Sequence, residues 1–227
     1  MRVYLDIETI PTQDLAEQTE IKSSIKPPAN YKKIETIAAW LAESGEAAAD
    51  KAWRDTALDG TSGELLAIGL AINEEAVQVF LRRLDEPEDQ LLREAFAWIE
   101  QQPSCQGELR SDTIWVGHNV LWDLRFLFQR CAVHGVTPPA PLRLETRPSW
   151  SGMVVDTMQL WAGYNGKISL DRLCRALRIP SPKTEDADGS KVWDLVCDER
   201  YKVIRDYCAR DVEAVRQIHR RLDAVRY

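Results

Sequence analysis

The chain has 227 residues, enough for one large domain or two small ones, and its 44% hydrophobic and 29% charged residues exclude a disordered class. No apolar run approaches the ~18 residues of a membrane span, and the first residues enter a strand with no basic region and apolar core ahead of it, so neither a span nor export is expected. The formal net charge of −7 argues against binding nucleic acid by bulk electrostatics, although a cluster of metal-binding acids would make the apo chain look more anionic than the loaded one. The first element is a strand from Arg2 to Thr9. Its period of two puts Val3, Leu5 and Ile7 on one face and Tyr4, Asp6 and Glu8 on the other. Two acids side by side repel and are costly to bury, and a divalent cation between them makes the arrangement favourable. Taken alone, such a pair reads as an ordinary exposed strand end.

Pro11 breaks the strand, and Asp14 to Lys22 can make a short helix that Pro27 and Pro28 cannot continue. A second helix runs from about Tyr31 to near Ala57, with Ile34, Ile37, Ala38, Leu41 and Ala42 on one stripe. Asp59-Gly60-Thr61-Ser62-Gly63 is a turn cluster. Residues 11–63 thus read as an excursion between the first two strands, within a single domain spanning 1–227. Strands follow at Glu64 to Ala71 and Ala76 to Leu81, completing a three-stranded meander. Pro87 introduces a helix whose apolar side is Leu91, Leu92, Ala95, Phe96, Trp98 and Ile99. After a loop at 102–112, a strand from Thr113 to Val116 leads through Gly117-His118-Asn119 into a helix from about Leu121 to His134.

Pro138, Pro139, Pro141 and Pro148 mark a loop, and Met153 to Val155 is the last strand, followed by a short helix to Ala162. Ser169 caps a helix carrying Leu170, Leu173, Cys174 and Leu177, which Pro180 and Pro182 close. Residues 181–190 form a polar loop, and a final helix starts near Glu199. Strands first, then alternating helices and strands, indicate one mixed-sheet α/β domain. The basic stretches from Lys22 to Lys33 around Tyr31 and from Arg143 to Trp150 read as solvated loops before they read as binding tracks. Five scattered cysteines, Cys105, Cys131, Cys174, Cys197 and Cys208, form no C-x-x-C pair and fit reduced residues in a cytoplasmic compartment.

The final helix carries an inward stripe of Ile204, Cys208, Asp211, Val215, Ile218, Leu222 and Val225. Asp211 stands in that apolar stripe, where a carboxylate costs several kcal/mol unless paired or bound to metal. Tyr207 emerges on the same side one turn earlier. A core tyrosine beside a salt-bridged aspartate would look the same on this helix alone. Asp123 falls in a first helical turn, where the helix dipole favours an acid in any case, and Asn119 is a plausible N-cap.

In order and spacing these signals become specific. Asp6-Ile7-Glu8-Thr9, Asn119 with Asp123, and Tyr207 with Asp211 resemble the three motifs of the DEDD exonuclease superfamily, in its tyrosine branch. The histidine branch has its His five residues before the last Asp, where this chain has Asp206. Val154-Val155-Asp156-Thr157 and Ser169-Leu170-Asp171-Arg172-Leu173 resemble the segments between the second and third motifs. More narrowly, the Asp6-Ile7-Glu8-Thr9 opening, the long excursion and the segment from Ala57 to Ala71 are similar to stand-alone exonucleases related to the proofreading domain of family-B DNA polymerases.

The resemblance implies a ribonuclease-H-like fold and 3′ to 5′ removal of nucleotides from single-stranded DNA, releasing nucleoside monophosphates. It implies Asp6, Glu8, Asp123, Asp211 and Tyr207 as catalytic residues. The four acids would hold two ions, Mg²⁺ or Mn²⁺, with Asp6, Glu8 and Asp211 on the nucleophile's side, Asp6 bridging, and Asp123 on the second ion. Tyr207, with an ordinary pKa of about 10, suits a water-orienting role better than that of a base. Thr9 and Ile10 would meet the terminal nucleotide and Asn119 would orient the substrate or the second-motif acid. Ile10 is equally suited to ordinary core. His118 reads as structural, and His134 and His219 lack metal-ligand spacing. A 3′-5′ exoribonuclease and an inactive nucleic-acid-binding scaffold are the alternatives. The second would be expected to lack an acid, and none is missing.

Overall fold

Alternation along the first strand decides the architecture. In β1 (Arg2–Ile10), Val3, Leu5 and Ile7 turn toward one side and Tyr4 toward the other, and all four are buried. The computed structural model describes residues 1–102, 113–138, 153–186 and 188–225. The predicted loop from 103 to 112 with Cys105, the prolines 139, 141 and 148, and the basic stretch 143–150 lie outside the described residues. Contacts divide the chain into two compact units, Met1–Glu8 with Leu65–Tyr227, and Thr9–Glu64.

The first unit is built on a five-stranded mixed sheet. Besides β1 it contains β2 (Glu64–Ile72), β3 (Gln78–Leu81), β4 (Ile114–Gly117) and β5 (Val154–Asp156), in the order β3-β2-β1-β4-β5. β2 and β3 are antiparallel, with Ile68 opposite Phe80. β1 pairs parallel with β4, Val3 opposite Trp115, and β4 pairs parallel with β5, Gly117 opposite Asp156. A parallel pair needs a crossover, and α4 (Val120–His134) lies in sequence between β4 and β5, while α3 (Glu88–Glu100) precedes β4. Strand limits differ from the sequence reading by one or two residues.

One face of the sheet packs Val3, Leu5 and Ile7 with Leu91, Leu92, Phe96 and Ile99 of α3 and Leu124 and Leu127 of α4. Trp98, predicted on the apolar side of α3, is half-buried edge-on to Phe80. The other face packs Tyr4, Ala71 and Val116 with Val212 and Val215 of the last helix, which is α8 (Tyr201–Asp223) in chain order. Between β5 and α8 lie α5 (Thr157–Ala162), α6 (Leu170–Leu177) and α7 (Val192–Cys197). Ser169 caps α6 as predicted, its hydroxyl accepting from the Arg172 amide at 3.3 Å. α6 packs on α8 through Leu173, Cys174, Ala214 and Ile218. The predicted stripe of α8 ends at Leu222, because Val225 lies beyond the last turn and is 78% exposed.

A buried ionic knot joins α3 to α4. Glu88 accepts from the Leu65 amide at 2.9 Å, from Arg130 Nε at 2.9 Å and Nη2 at 2.7 Å, and lies 2.9 Å from His134 Nε2. Burial alone would raise its carboxyl, but these donors hold it below the ordinary value. Arg82, also buried, donates through Nε to the Leu65 carbonyl at 2.6 Å.

The second unit holds α1 (Leu15–Ser24) and α2 (Ile34–Asp55), followed by a 3-10 turn at Thr56–Leu58. Asp14 caps α1 by accepting from the Ala16 amide. The predicted α2 stripe is not buried. Ile34, Ala38, Leu41 and Ala42 are exposed, and Ala49 is the buried residue of the helix. Periodicity identifies a face but not what covers it. This unit is tied instead at the other end of α2, where Trp53 Nε1 donates to the Thr12 carbonyl at 2.9 Å. Among the described residues no helix is long and apolar enough to cross a membrane.

Candidate active site

Residues from three elements of the first unit, β1, α4 and α8, converge around Asp6 and Glu8. Alternation along β1 turns Asp6 and Glu8 away from the α3 and α4 core. Glu8 is 5% exposed, and Asp6 keeps somewhat more surface. α8 approaches because β2 has glycine at position 69. A Cβ there would meet Cys208 Sγ at 2.7 Å and Val212 Cγ2 at 2.8 Å. Cys208 Sγ lies 3.9 Å from the Asp6 carbonyl, and one ligand atom each of Asp6, Glu8 and Cys208 lie within 4.8 Å of one another. The sequence places Cys208 on the same stripe as Asp211, but a buried cysteine reads there as core.

Asp123 comes from the first turn of α4, whose start is fixed by close backbone contact. A Cβ on Gly117 would meet Val120 Cβ at 2.6 Å and the Leu5 carbonyl at 3.1 Å. Asp123 is 5% exposed, and its Oδ1 accepts from the Ile7 amide at 3.3 Å. Asp211 is equally buried, accepts a hydrogen bond from Tyr207 one turn earlier, and leaves Oδ1 buried without a partner.

The acids raise one another. Asp6 is pushed well above the carboxylate range by burial first, then by Asp211, Glu8 and Asp123. Glu8 is raised by burial and then by Asp211, Asp123 and Asp188. Asp123 is pushed up to about 8, chiefly by burial, against the lowering effect of its own amide and that of Ile7. Asp211 is pushed up to about 7 by burial, with the Tyr207 hydroxyl, Arg210 and Lys183 opposing. Such a cluster is short of positive charge. Four carboxylates and one orphaned buried oxygen suit a hard divalent cation. Burial and the surrounding carboxylates keep the Cys208 thiol protonated, so it adds a soft neutral neighbour to that set. Burial and the charges of Asp211, Glu8 and Asp6 also raise Tyr207, which therefore keeps its proton at neutral pH.

Asp156, to which the sequence assigned no chemical role, supports the second acid. It is 1% exposed, caps α5 by accepting from Met158 N at 2.9 Å, accepts from the Asn119 amide at 2.9 Å, and raises Asp123. Its Oδ2 is buried without a partner. An aspartate ending a short strand just before a helix was the available signal. Asn119 precedes α4 but makes no side-chain cap, because its backbone is left-handed at φ 62° and the capping geometry needs an extended residue. The side of Asn119 is exposed. His118 lies 3.0 Å from Thr157 Oγ1 through Nδ1 and 2.8 Å from the Ile168 carbonyl through Nε2. Burial lowers its pKa, so it serves as a neutral brace.

The polar loop also bears on the site. Lys183 pairs with Asp188 at 2.6 Å, which holds Asp188 down at about 2, and a Cβ on Gly189 would lie 3.8 Å from the Tyr207 hydroxyl. Of the predicted substrate contacts, Thr9 and Ile10 belong to the second unit. There the Thr9 hydroxyl donates to the Ala57 carbonyl at 2.6 Å and Ile10 has no exposed surface.

A family model described as "predicted 3′-5′ exonuclease related to the exonuclease domain of PolB" matches residues 63–225, well over half the chain. A search of the curated proteins finds no match. The matched stretch contains Asp123, Tyr207 and Asp211 and starts after Asp6 and Glu8, both of which the charge of Asp211 raises.

Proposed function

The chain belongs to this family of predicted 3′-5′ exonucleases, with the ribonuclease-H-like α/β fold of such domains, and from that premise we propose that it is a metal-dependent enzyme of the tyrosine branch. It removes nucleotides from the 3′ end of single-stranded DNA. The observation that carries this reading is the convergence of four carboxylates from β1, α4 and α8, three buried and Asp6 half-buried, each raised by burial and two of them, Asp6 and Glu8, by at least two of the others. Asp6, Glu8, Asp123 and Asp211 would hold two ions of the Mg²⁺ or Mn²⁺ kind. When bound, these would supply an activated water and stabilise the leaving oxygen.

The chain's own groups do the positioning. Ile7 fixes Asp123 through its amide, so the second-motif acid is held in register with the first-motif pair. Tyr207 retains its proton and donates it in a hydrogen bond to Asp211. It orients Asp211 or the attacking water and does not act as the base. Asn119, four residues before Asp123, is exposed and can reach a phosphate or sugar. Thr9 and Ile10, directly after Glu8, meet the terminal nucleotide. Because the Ile10 side chain is wholly buried, its contact falls to the backbone. On this reading residues 1–227 act as one exonuclease domain. The buried thiols of Cys131, Cys174 and Cys208 suit a reducing, cytoplasmic setting.

Digestion of matched 5′-labelled single-stranded DNA, double-stranded DNA and RNA, with Mg²⁺ and with EDTA, tests the proposal. A ladder shortening from the 3′ end of single-stranded DNA, abolished by EDTA and restored by Mg²⁺ or Mn²⁺, is the expected result. Full turnover without metal overturns it, and preference for RNA reassigns the substrate.

A further inference from the structure

The chain carries −7 overall, yet residues 22–33 hold four lysines and no acid. Lys22 lines a cleft together with Glu46 and Asp50, so acids stand on the same cleft within its own unit. Lys26, Lys32 and Lys33 are different. All three are exposed, none forms an ion pair among the described residues, and the nearest acid in sequence is Glu35.

Between these lysines stands an aromatic surface. Tyr31 is exposed, and its ring lies 6.4 Å from that of half-buried Trp40, tilted by 56°. The connection that displays them is stiff. Pro27 and Pro28 fix two φ angles, and the Tyr31 amide closes a turn onto the Pro28 carbonyl at 3.0 Å. Cations that answer no carboxylate of their own unit, interleaved with a propped aromatic ring, match the two demands of a nucleic-acid strand. Phosphates need positive charge, and unstacked bases need a flat partner.

We propose that the turn between α1 and α2 is a second nucleic-acid contact, which grips single-stranded DNA through Lys26, Lys32 and Lys33 and stacks a base on Tyr31. It rests on the exonuclease reading for the identity of the polymer, and it adds a handhold outside the carboxylate cluster. An acidic polypeptide would satisfy the lysines but would leave Tyr31 with nothing to stack. The aromatic surface therefore favours a strand with bases.

The test is equilibrium binding of a fluorescein-labelled 20-nucleotide oligo-dT to the full chain in EDTA, across a salt series, with unlabelled polyglutamate as competitor. Each phosphate neutralised on a single strand contributes about −0.7 to the slope of log K against log salt. The Lys26→Ala/Lys32→Ala/Lys33→Ala variant should flatten that slope by about 2, and Tyr31→Ala should weaken binding roughly 5- to 100-fold. Both should leave unchanged the metal-dependent hydrolysis of a chromogenic thymidine monophosphate ester, which has a single phosphate and no further nucleotide to offer a second contact. An unchanged slope, or polyglutamate displacing the oligonucleotide at equal charge concentration, overturns the proposal. Failure of all hydrolysis with the slope changes intact would sink the exonuclease reading and leave this contact standing.

Discussion

The amide of Ile7, the residue between the two acids of β1, donates to Asp123 Oδ1 at 3.3 Å, so one strand both supplies two carboxylates and holds the third. This separates charge from structure at Asp123. Asp123→Asn keeps an oxygen acceptor and removes the charge. It should melt at least as high as the wild type without metal and lose about 100-fold or more in kcat. Asp123→Ala also orphans the Ile7 amide and should cost an additional ~1 to 3 kcal/mol. Thermal melts paired with single-turnover rates measure both, and equal stability of the two variants would remove the structural part of the argument.

The metal-free protein should lose stability as pH rises. Asp211 and Asp123 release their protons at about 7 and about 8 in the folded chain and near the ordinary value of about 4 when unfolded. Between these limits the folded state binds more protons, so the stability present at acid pH is lost from about pH 4 to about pH 8. Glu88, which is lowered, acts below that window. Added Mg²⁺ should reverse the trend, raising Tm more at pH 8 than at pH 5. Melting curves in EDTA and in Mg²⁺ between pH 5 and 8.5 decide the matter, and a rising Tm with pH in EDTA contradicts it.

Tyr207→Phe should bind substrate normally and lose roughly 10- to 1,000-fold in kcat, the worth of one transition-state contact of ~1.4 to 4 kcal/mol. The loss should be smaller than in Asp6→Ala. Because the tyrosine hydroxyl lowers Asp211, its removal should also shift the acid limb of the rate profile to higher pH. Tyr207→His should not convert the site to the other branch, since its histidine would stand one residue, about 100° of helix, from the required place. Rates over pH 6 to 9 test all three statements. A Phe variant with wild-type rate would make Tyr207 a core residue.

Glu88→Ala should destabilise the fold by about 3 to 5 kcal/mol, because it strips buried Arg130 of a counter-charge and the Leu65 amide of its acceptor. Turnover per folded molecule should stay near that of the wild type. Denaturant unfolding with active-site titration separates the two quantities, and a loss under 1 kcal/mol would show the knot to be dispensable.

The sequence carried the frame of the fold because its elements announce themselves locally. Alternation in β1, the stripe of α3, and Ser169 before α6 each need no knowledge of distant residues. The acids were legible as a spaced set, and Asp211 also as a charge in an apolar stripe. What escaped depended on partners far along the chain. Glu88 after Pro87 looks like any acid favoured by a helix dipole until Arg130 meets it. Cys208 looks like core until β1 places two carboxylates beside it. Ile34 and Leu41 have helical spacing, but spacing says nothing about whether another surface arrives to cover them.

Gly69 has no ionisable group and stands on a strand outside the three motifs. Yet the hydrogen in place of its side chain lets α8 lie where Tyr207 and Asp211 are carried into the cluster, since a single methyl would collide with Sγ of Cys208 and Cγ2 of Val212. Loss of activity on substitution there would register a spacing and not a chemical role. In a scan of this protein for residues that silence it, a position with nothing to offer the substrate would rank beside the carboxylates.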